Sequence, residues 1–393
     1  MSTKLDNSIV FYAAGDIAPY REDLDTIFRH VKPVIEKGDL AFCQLESLIS
    51  DRGIRLPHRN PVAIVDGKPF MHEDVYLGKA IKNAGFTVVS FAGNHCLDLG
   101  DDAFFDTINA VKKEGMYMIG VGANIEEARK PAIVERKGTK IAFLAYNSIL
   151  PPGYWATPKK PGCAPLRGIT VYTPLEPDQP GRPAKVLTYP NREDLQAMIA
   201  DIEKIRGQAD IVIVSQHCGI HFVPAVIADY QKDLAHAAID SGADLVLQHH
   251  SHILKGIEVY KGKVIFYSLG NFALELPYNK EFHKKPPNLE EVSRWEMFPE
   301  YLPWAKYDPS CPSFPFHPEA RLTLMVKCIM HDKQIQKVAF LPVYLNNQAE
   351  PEIQKRNDKR FNEIITYIED ISRREKIATK YSVSGDEVII IDN

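Results

Sequence analysis

The stretch ADLVLQHHSHI, residues 243–253, joins an apolar run to a His-x-His pair formed by His250 and His252. The run Leu245 to Gln248 predicts a buried strand that ends just before the pair. Strand alternation places both imidazoles on one face of an otherwise buried sheet, where unpaired rings would cost stability. We therefore predict that His250 and His252 bind metal.

This strand belongs to an alternation of short apolar runs and amphipathic segments that extends from residue 8 to about 275. Such an alternation is typical of an α/β fold. The other predicted strands are Ile9 to Ala14, Leu40 to Leu45, Thr87 to Ala92, Tyr117 to Val121, Ile141 to Tyr146, Ile211 to Ser215 and Lys263 to Leu269. The predicted helices are Glu73 to Asn83, Ala103 to Glu114, Arg192 to Arg206 and Ile227 to Ser241. A hairpin is predicted from Leu322 to Ile329 and from Gln336 to Tyr344.

Further polar residues follow the other predicted strands, where ligand sites gather in open α/β sheets. They are Asp16 in AAGDI, Glu46 in FCQLES, Asn94 and His95 in SFAGNHCLD, and His217 in VSQHCG. A Gly-Asp pair after a strand is usually only a turn, so the interpretation depends on the whole set rather than on one motif. Oxygen ligands combined with imidazoles suit two borderline divalent ions such as manganese, iron or zinc.

The order Asp, acidic residue, Gly-Asn-His, His and His-x-His resembles that of the calcineurin-like metallophosphoesterases. The fuller wording resembles the CapA (polyglutamate capsule synthesis) family, from GDI through AGFTVVSFAGNHCLDLG to DLVLQHHSHILKGIEVYKGKVIFYSLGNF. The likeness covers residues 8 to about 275, and residues 321–344 also fit the closing strands of that family. The resemblance implies a four-layer α/β/β/α sandwich with two metals at one sheet edge.

The resemblance also implies a role for each matching residue. One metal would be held by Asp16 and His252, and Glu46 would take the place of the bridging carboxylate. The ligands of the other metal would be Asn94, His217 and His250. His95 would lie just outside the metals, where an imidazole can stabilise the transition state or protonate a leaving group. Asp98 would orient the ring of His95.

The sequence departs from the pattern at several positions, one of which is Gln44 in place of the asparagine of the common Asn-Leu-Glu. Asp16-Ile17-Ala18 lacks the histidine of the usual Asp-x-His, so one metal has one ligand fewer. His221 replaces an acidic residue, and it is an extra ligand, a substrate contact or a surface residue. His249 occupies the usual glycine position before the His-x-His pair, and strand alternation predicts that it points away from the metals.

Composition narrows the class of function. A formal net charge of −4 with both signs spread along the chain argues against a nucleic-acid binder, so we expect a small-molecule substrate. The six cysteines form no CxxC pair and are expected to be free thiols in a reducing compartment. The chain starts without a basic and apolar leader and has no long uncharged apolar window, so we expect a cytoplasmic protein without a membrane partner.

The domain prediction is a single metallophosphoesterase-like domain over residues 8–348, followed by a C-terminal helical extension over 349–393. The extension is predicted to contain a charged amphipathic helix over 352–378 and a short strand in EVIIIDN. The domain carries insertions at about 150–190 and 277–317 that are rich in Pro and aromatic residues, and neither is expected to form regular structure. Both are expected to cover the metal edge and set substrate choice. The alternative is that they bury their aromatic side chains in a homodimer contact or a satellite core.

The predicted reaction is hydrolysis by a hydroxide held between two metals, because two ions lower the pKa of water and polarise the electrophile. Neither a G-x-S-x-G elbow nor a Walker loop is present. A phosphoester is the default substrate, whereas the family resemblance also allows a γ-glutamyl amide or a non-catalytic accessory role in polymer synthesis. An anionic substrate could be contacted by basic loop residues, and the alternative for each of them is a solvated loop charge. They are Arg21, Arg52, Arg55, Arg59 and Arg167.

Overall fold

A computed structural model describes most of the chain, and its ranges are residues 7–53, 64–65, 68–69, 76–179, 181, 183–275, 310–314 and 318–391. The strands are β1 (Ile9–Ala18), β2 (Leu40–Leu45), β3 (Ile64–Val65), β4 (Lys68–Pro69), β5 (Val88–Ser90), β6 (Tyr117–Ile119), β7 (Val121–Gly122), β8 (Ala132–Arg136), β9 (Thr139–Asn147), β10 (Gly162–Cys163), β11 (Gly168–Pro174), β12 (Ala184–Pro190), β13 (Ile211–His217), β14 (Leu245–His249), β15 (Ile257–Tyr260), β16 (Lys263–Phe266), β17 (Asn271–Leu274), β18 (Leu322–His331), β19 (Gln334–Leu345), β20 (Pro351–Ile353), β21 (Lys380–Ser384) and β22 (Glu387–Ile391). The α-helices are α1 (Lys32–Ile35), α2 (Tyr76–Asn83), α3 (Asp101–Lys113), α4 (Ile125–Ala128), α5 (Arg192–Arg206), α6 (Asp229–Asp240) and α7 (Lys359–Arg374).

The larger sheet contains ten strands in the order β21-β22-β19-β18-β1-β2-β5-β6, with β17 paired to β1 and β20 paired to β19. Strands β1, β2, β5 and β6 are parallel, so their carboxyl ends meet at one edge. The predicted hairpin forms β18 and β19, and β18 pairs antiparallel with β1. The strand that carries Asp16 is therefore central in the sheet.

The smaller sheet contains six strands in the order β15-β16-β14-β13-β9-β8, of which β9, β13, β14 and β16 are parallel. Its side chains alternate between two buried faces. Ile213 and Leu245 join the core shared with the larger sheet, whereas Val212 and Val246 pack with the helices outside. Phe11 and Phe143 meet between the sheets, with their ring centroids 5.8 Å apart.

Helices cover the outer faces of both sheets. In α5, Met198, Ile202 and Ile205 are buried against the smaller sheet, at the spacing expected of one helical face. Burial of each such side chain contributes about 1.5–3 kcal/mol relative to exposure. Asn191 begins this helix because its side chain accepts hydrogen bonds from the next turn. The two sheets and their outer helices confirm the predicted α/β/β/α sandwich.

The C-terminal segment contains the predicted helix and the predicted final strand, together with strands β20 and β21, which were not predicted. Helix α7 buries Phe361, Ile364 and Ile368, and it contacts β19 of the larger sheet and β15 of the smaller one. Strands β21 and β22 then extend the larger sheet beside β19. The segment thus supplies sheet strands as well as a helix, and the domain boundary at 348/349 stays a prediction.

The first Pro-rich segment was expected to lack regular structure, and this prediction is wrong for part of it. Strands β11 and β12 form an antiparallel hairpin with seven residue pairs, from Gly168 opposite Pro190 to Pro174 opposite Ala184. Alternating β-branched and aromatic residues favour strands here despite the flanking prolines. Most of the second segment, including Trp295 and Trp304, lies outside the described residues.

Arg21 holds together three distant parts of the larger-sheet half of the fold. Its guanidinium lies 2.9 Å from a carboxylate oxygen of Glu275 and 2.9 Å from one of Glu350, and both carboxylates are about 95% buried. Because Arg21→Ala leaves two buried carboxylates close together, we expect it to lower the free energy of unfolding by about 3 kcal/mol. Denaturant titration measures this loss. The control Arg373→Ala breaks an exposed helical pair and should cost less than about 1 kcal/mol; equal losses would contradict the prediction.

Candidate metal centre

The predicted ligands lie at the carboxyl ends of parallel strands from both sheets. Asp16 is near the end of β1, where a register shift between Asp16 and Ile17 interrupts the ladder with β17. Glu46 follows the last residue of β2, and His217 is the last residue of β13. His250 follows β14 with a positive φ of 86°, which turns the chain out of the strand. The ends of the two sheets therefore bring these side chains together.

One candidate ligand group contains Glu46, His217 and His250, whose ligand atoms all lie within 4.8 Å of one another. The rings of His217 and His250 are 4.9 Å apart, and Nε2 of His217 is 3.5 Å from Oε1 of Glu46. Asn94 joins this group because its Oδ1 lies 2.7 Å from the same Nε2. Two imidazoles, one carboxylate and one amide oxygen therefore converge.

A second group contains Asp16, Glu46 and His252, again within 4.8 Å of one another. Nε2 of His252 lies 3.7 Å from Oε1 of Glu46. Glu46 is thus common to both groups, as the sequence predicts for a bridging carboxylate. The geometry brings together all six predicted metal ligands, although their binding of metal stays a prediction.

The donor set fits divalent cations because many of its polar atoms lack another partner. Both carboxylate oxygens of Glu46, Oδ1 of Asp16, and Nδ1 of His217 and His250 are buried without a hydrogen bond. Such atoms usually cost about 1–3 kcal/mol each, so proteins rarely retain them without a ligand. A cation shared by carboxylates and imidazoles removes this penalty for the atoms it contacts.

Burial shifts the protonation of these groups in opposite directions. It raises the pKa of Asp16 to about 8, opposed by a hydrogen bond from the backbone N–H of His250. Burial and then the charges of Asp16 and Asp98 raise the pKa of Glu46. Burial also lowers the pKa values of His217 and His250, and neighbouring imidazoles add to that effect. The imidazoles are therefore neutral near pH 7, whereas the two carboxyl groups hold their protons more strongly than exposed carboxyl groups do.

The pH dependence of metal binding follows from these shifts. Since Asp16 is protonated below about pH 8 in the free protein, a cation must displace its proton. We expect the apparent affinity for Mn²⁺ to fall between pH 8 and pH 6, by up to about tenfold per pH unit for each proton displaced. Calorimetric titration in two buffers of different ionisation heat counts the protons released. A pH-independent affinity without proton release would contradict this prediction.

His95 and Asp98 form the predicted imidazole–carboxylate pair, with Nδ1 of His95 2.7 Å from Oδ2 of Asp98. The hydroxyl of Tyr154 donates to the other oxygen of Asp98 at 2.8 Å. Tyr154 is fully buried and comes from the first Pro-rich segment. That segment therefore reaches the site edge, as expected, although its effect on substrate choice stays a prediction.

Sequence reasoning missed Tyr154 and also Asn271. Oδ1 of Asn271 lies 2.7 Å from Nδ1 of His252, and its amide nitrogen donates to the backbone oxygen of the same histidine. This contact engages Nδ1 of His252, so Nε2 is the ring nitrogen that faces Glu46, and ligating histidines are commonly oriented by such a partner. Asn271 follows a predicted strand in YSLGNF, so its position gave the same signal as the other ligands.

His221 lies at the centre and not on the surface. Its ring centroid is 3.8 Å from that of His250, and its Nε2 has no hydrogen-bond partner. The loop that carries it includes positive φ angles at Phe222 and Ala225. The buried ammonium of Lys255 holds this loop through the backbone oxygens of residues 223 and 226. Of the three alternatives, an extra ligand and a substrate contact remain.

The predicted arginine contacts gain no support among the described residues. Nε and Nη2 of the Arg52 guanidinium both donate to the carboxylate of Asp106, with Nε 2.8 Å from its Oδ2. This ion pair with helix α3 accounts for the positive charge of Arg52 without a substrate. Arg55 and Arg59 lie outside the described residues.

His249 belongs to neither ligand group but lies close to Asp16, and its predicted direction away from the metals stays a prediction. Its Nδ1 lies 3.8 Å from Oδ1 of Asp16, and its ring packs 5.7 Å from that of Phe42. Strand alternation does apply, since Leu245, Leu247 and His249 have the same parity and the two leucines face the larger sheet. The ligands lie between the ends of the sheets, so this direction brings His249 towards Asp16.

The sandwich and the ligand set at its strand ends define a metallophosphoesterase-like α/β protein. A family model described as "Bacterial capsule synthesis protein PGA_cap" matches residues 8–275. The chain belongs to this family of bacterial capsule synthesis proteins.

Similar curated proteins carry related names. The chain is 29% identical over 267 residues to the capsule biosynthesis protein CapA of Bacillus anthracis, covering 65% of this chain and 55% of that protein. It is 29% identical over 258 residues to the PGA biosynthesis protein CapA of Bacillus subtilis (strain 168), covering 64% and 57%. It is 31% identical over 188 residues to a "Probable polyglutamine synthesis accessory protein" of Mycobacterium tuberculosis, covering 47% and 44%. The chain thus spans little more than half the length of the first two relatives.

Each helix in the described part of the chain is too short or too polar to cross a bilayer.

Proposed function

We propose that the protein is a binuclear metal-dependent hydrolase that acts on a phosphoester of a small metabolite. The observation that carries the proposal is that Glu46 belongs to two ligand groups at once, with both of its oxygens buried and unpaired. Two divalent ions at this position, with manganese, iron and zinc as candidates, would lower the pKa of water and polarise the bond to be cleaved. Asp16 and His252 would hold one ion, and Asn94, His217 and His250 would hold the other.

His95 is proposed to act on the leaving group. Because Asp98 engages Nδ1, the other ring nitrogen, Nε2, is the atom that can exchange a proton with a substrate. Tyr154 and His95 bind opposite oxygens of Asp98, so the carboxylate is fixed from both sides. An imidazole held in this way can donate a proton without first losing rotational freedom.

A second candidate function follows from the relatives. Their names refer to biosynthesis of capsule and PGA and to an accessory role in polyglutamine synthesis. The γ-glutamyl amide of such a polymer is also an electrophile that two cations can polarise. The chain could therefore cleave an amide, or it could assist polymer synthesis without catalysis. The unpaired ligand atoms favour an enzyme over a non-catalytic role.

The test combines metal analysis with two substrates. Protein purified without chelator should contain about two equivalents of divalent metal. It should hydrolyse bis-p-nitrophenyl phosphate or p-nitrophenyl phosphate faster than γ-glutamyl-p-nitroanilide. The reverse preference would favour the amide hydrolase. Absence of bound metal, even after incubation with Mn²⁺ or Zn²⁺, would refute both enzymatic functions and leave the accessory role.

We further propose a cytoplasmic location and a small-molecule substrate. All six cysteines are buried and none is joined in a disulfide, which supports a reducing compartment. The formal net charge of −4 supports a substrate other than nucleic acid. A homodimer is compatible with this function, and size-exclusion chromatography with light scattering tests it.

A further inference from the structure

His249 is a fully buried imidazole at the end of β14 that the proposed reaction does not use. Neither of its ring nitrogens has a hydrogen-bond partner, and its exposed fraction is 0%. A neutral imidazole always carries one N–H group and one acceptor nitrogen, so the ring of His249 has an N–H group that needs an acceptor. Buried donors without an acceptor are rare in folded proteins.

The neighbouring carboxylate of Asp16 also has an oxygen without a hydrogen-bond partner. Oδ1 of Asp16 is buried without a partner and lies 3.8 Å from Nδ1 of His249. The other oxygen, Oδ2, accepts a hydrogen bond from the backbone N–H of His250. An approach of about 1 Å brings the ring nitrogen of His249 to hydrogen-bond distance of Oδ1. Nδ1 of His249 and Oδ1 of Asp16 can therefore form a hydrogen bond with each other.

A role as a direct ligand is less well supported by the geometry. The candidate group around Asp16 contains Glu46 and His252, and His249 does not belong to it. The ring of His249 instead packs against Phe42, which belongs to the core between the sheets, while its Nδ1 approaches Asp16. A residue placed beside a ligand in this way can orient the ligand without contacting the metal.

We propose that His249 is a positioning residue of the metal centre, whose Nδ1–H donates to Oδ1 of Asp16 and holds that carboxylate towards the metal. The segment Asp16-Ile17-Ala18 lacks the imidazole that the Asp-x-His pattern would place beside this metal. His249 supplies an imidazole from the opposite sheet, as a hydrogen-bond donor to Asp16. This inference rests on the proposed function, because it requires metal at Asp16.

The test uses two substitutions with opposite expectations. His249→Phe keeps a ring for the contact with Phe42 but removes the donor. His249→Asn keeps an N–H donor on a shorter side chain. Calorimetry with Mn²⁺ should show that H249F weakens one of two sites at least about tenfold, the lower bound for loss of such a supporting partner. H249N should retain most of the affinity, and the second site should stay unchanged in both variants.

The control is His236→Phe, which removes an imidazole paired with Glu258 on the outer side of the smaller sheet, away from the metal centre. Its metal binding should equal that of the wild type. Melting temperatures without metal identify variants that fail to fold, and His249→Leu replaces H249F in that case.

The outcomes separate the two proposals. If wild-type protein binds two ions and H249F binds them equally tightly, only the role of His249 is refuted. Equal losses in H249F and H249N also refute the hydrogen bond. If the wild type binds no metal, the proposed function fails and this inference fails with it.

Discussion

Replacement of Glu46 by alanine is expected to empty both halves of the metal centre. Glu46 is shared by the group with His217 and His250 and by the group with Asp16 and His252. Its loss removes one ligand from each ion and the negative charge that holds two cations close together. Bound metal should fall from about two equivalents to well below one, and hydrolysis should fall at least about a hundredfold. Elemental analysis and initial rates on the same preparations measure both effects.

Two further variants make this experiment specific. Glu46→Gln preserves the size of the side chain and removes the charge, so it should lose metal almost as completely as Glu46→Ala. Glu352→Gln changes a half-exposed carboxylate beside His30 and should leave metal content unchanged. Retention of one full equivalent by Glu46→Ala would show that one ion does not depend on Glu46, contrary to a bridging role.

Replacement of His95 by alanine should separate catalysis from metal binding. His95 belongs to neither ligand group, and its partner is Asp98. We expect the metal content to stay near that of the wild type while kcat falls on the order of a hundredfold, because a proton donor is lost from the transition state. Metal analysis and steady-state kinetics of one preparation give both values.

The substitution of His95 has two control variants, one at its partner Asp98 and one at the half-exposed residue His30. Asp98→Asn should lower kcat less than His95→Ala, since the ring of His95 remains but loses its charged partner. His30→Ala removes a half-exposed imidazole that contacts Glu350 and should leave kcat unchanged. Loss of metal from His95→Ala comparable to that from Glu46→Ala would contradict the separate roles.

The sequence predicted correctly those strands and helices that are determined by the residues within them. Strand β2 and helix α5 have the predicted bounds, because an apolar run and a capped amphipathic face each define an element without distant contacts. The hairpin of β11 and β12 was missed because its strands stand in a Pro- and Gly-rich context, where composition outweighed alternation. The family resemblance supplied the packing of two sheets, which periodicity alone leaves open.

The site shows the same division between local and distant causes. Asp16, Glu46 and His217 follow strands directly, so their convergence could be predicted from sheet geometry. Tyr154 and His221 reach the centre along irregular segments, and the path of such a segment depends on contacts that no short pattern encodes. The closeness of His249 to Asp16 was not predicted because it depends on how the two sheets pack against each other.

The central position of β1 limits where the gene could be divided or recombined. The family match ends at residue 275, yet β18 pairs along β1, and the partners of Arg21 lie at residues 275 and 350. A fragment that stops at the match would expose a full row of unpaired amide and carbonyl groups on the strand that carries Asp16. Such an edge is a template for aggregation. A segment that is exchanged between relatives should therefore extend at least through the strands at 322–345 and the stretch that carries Glu350.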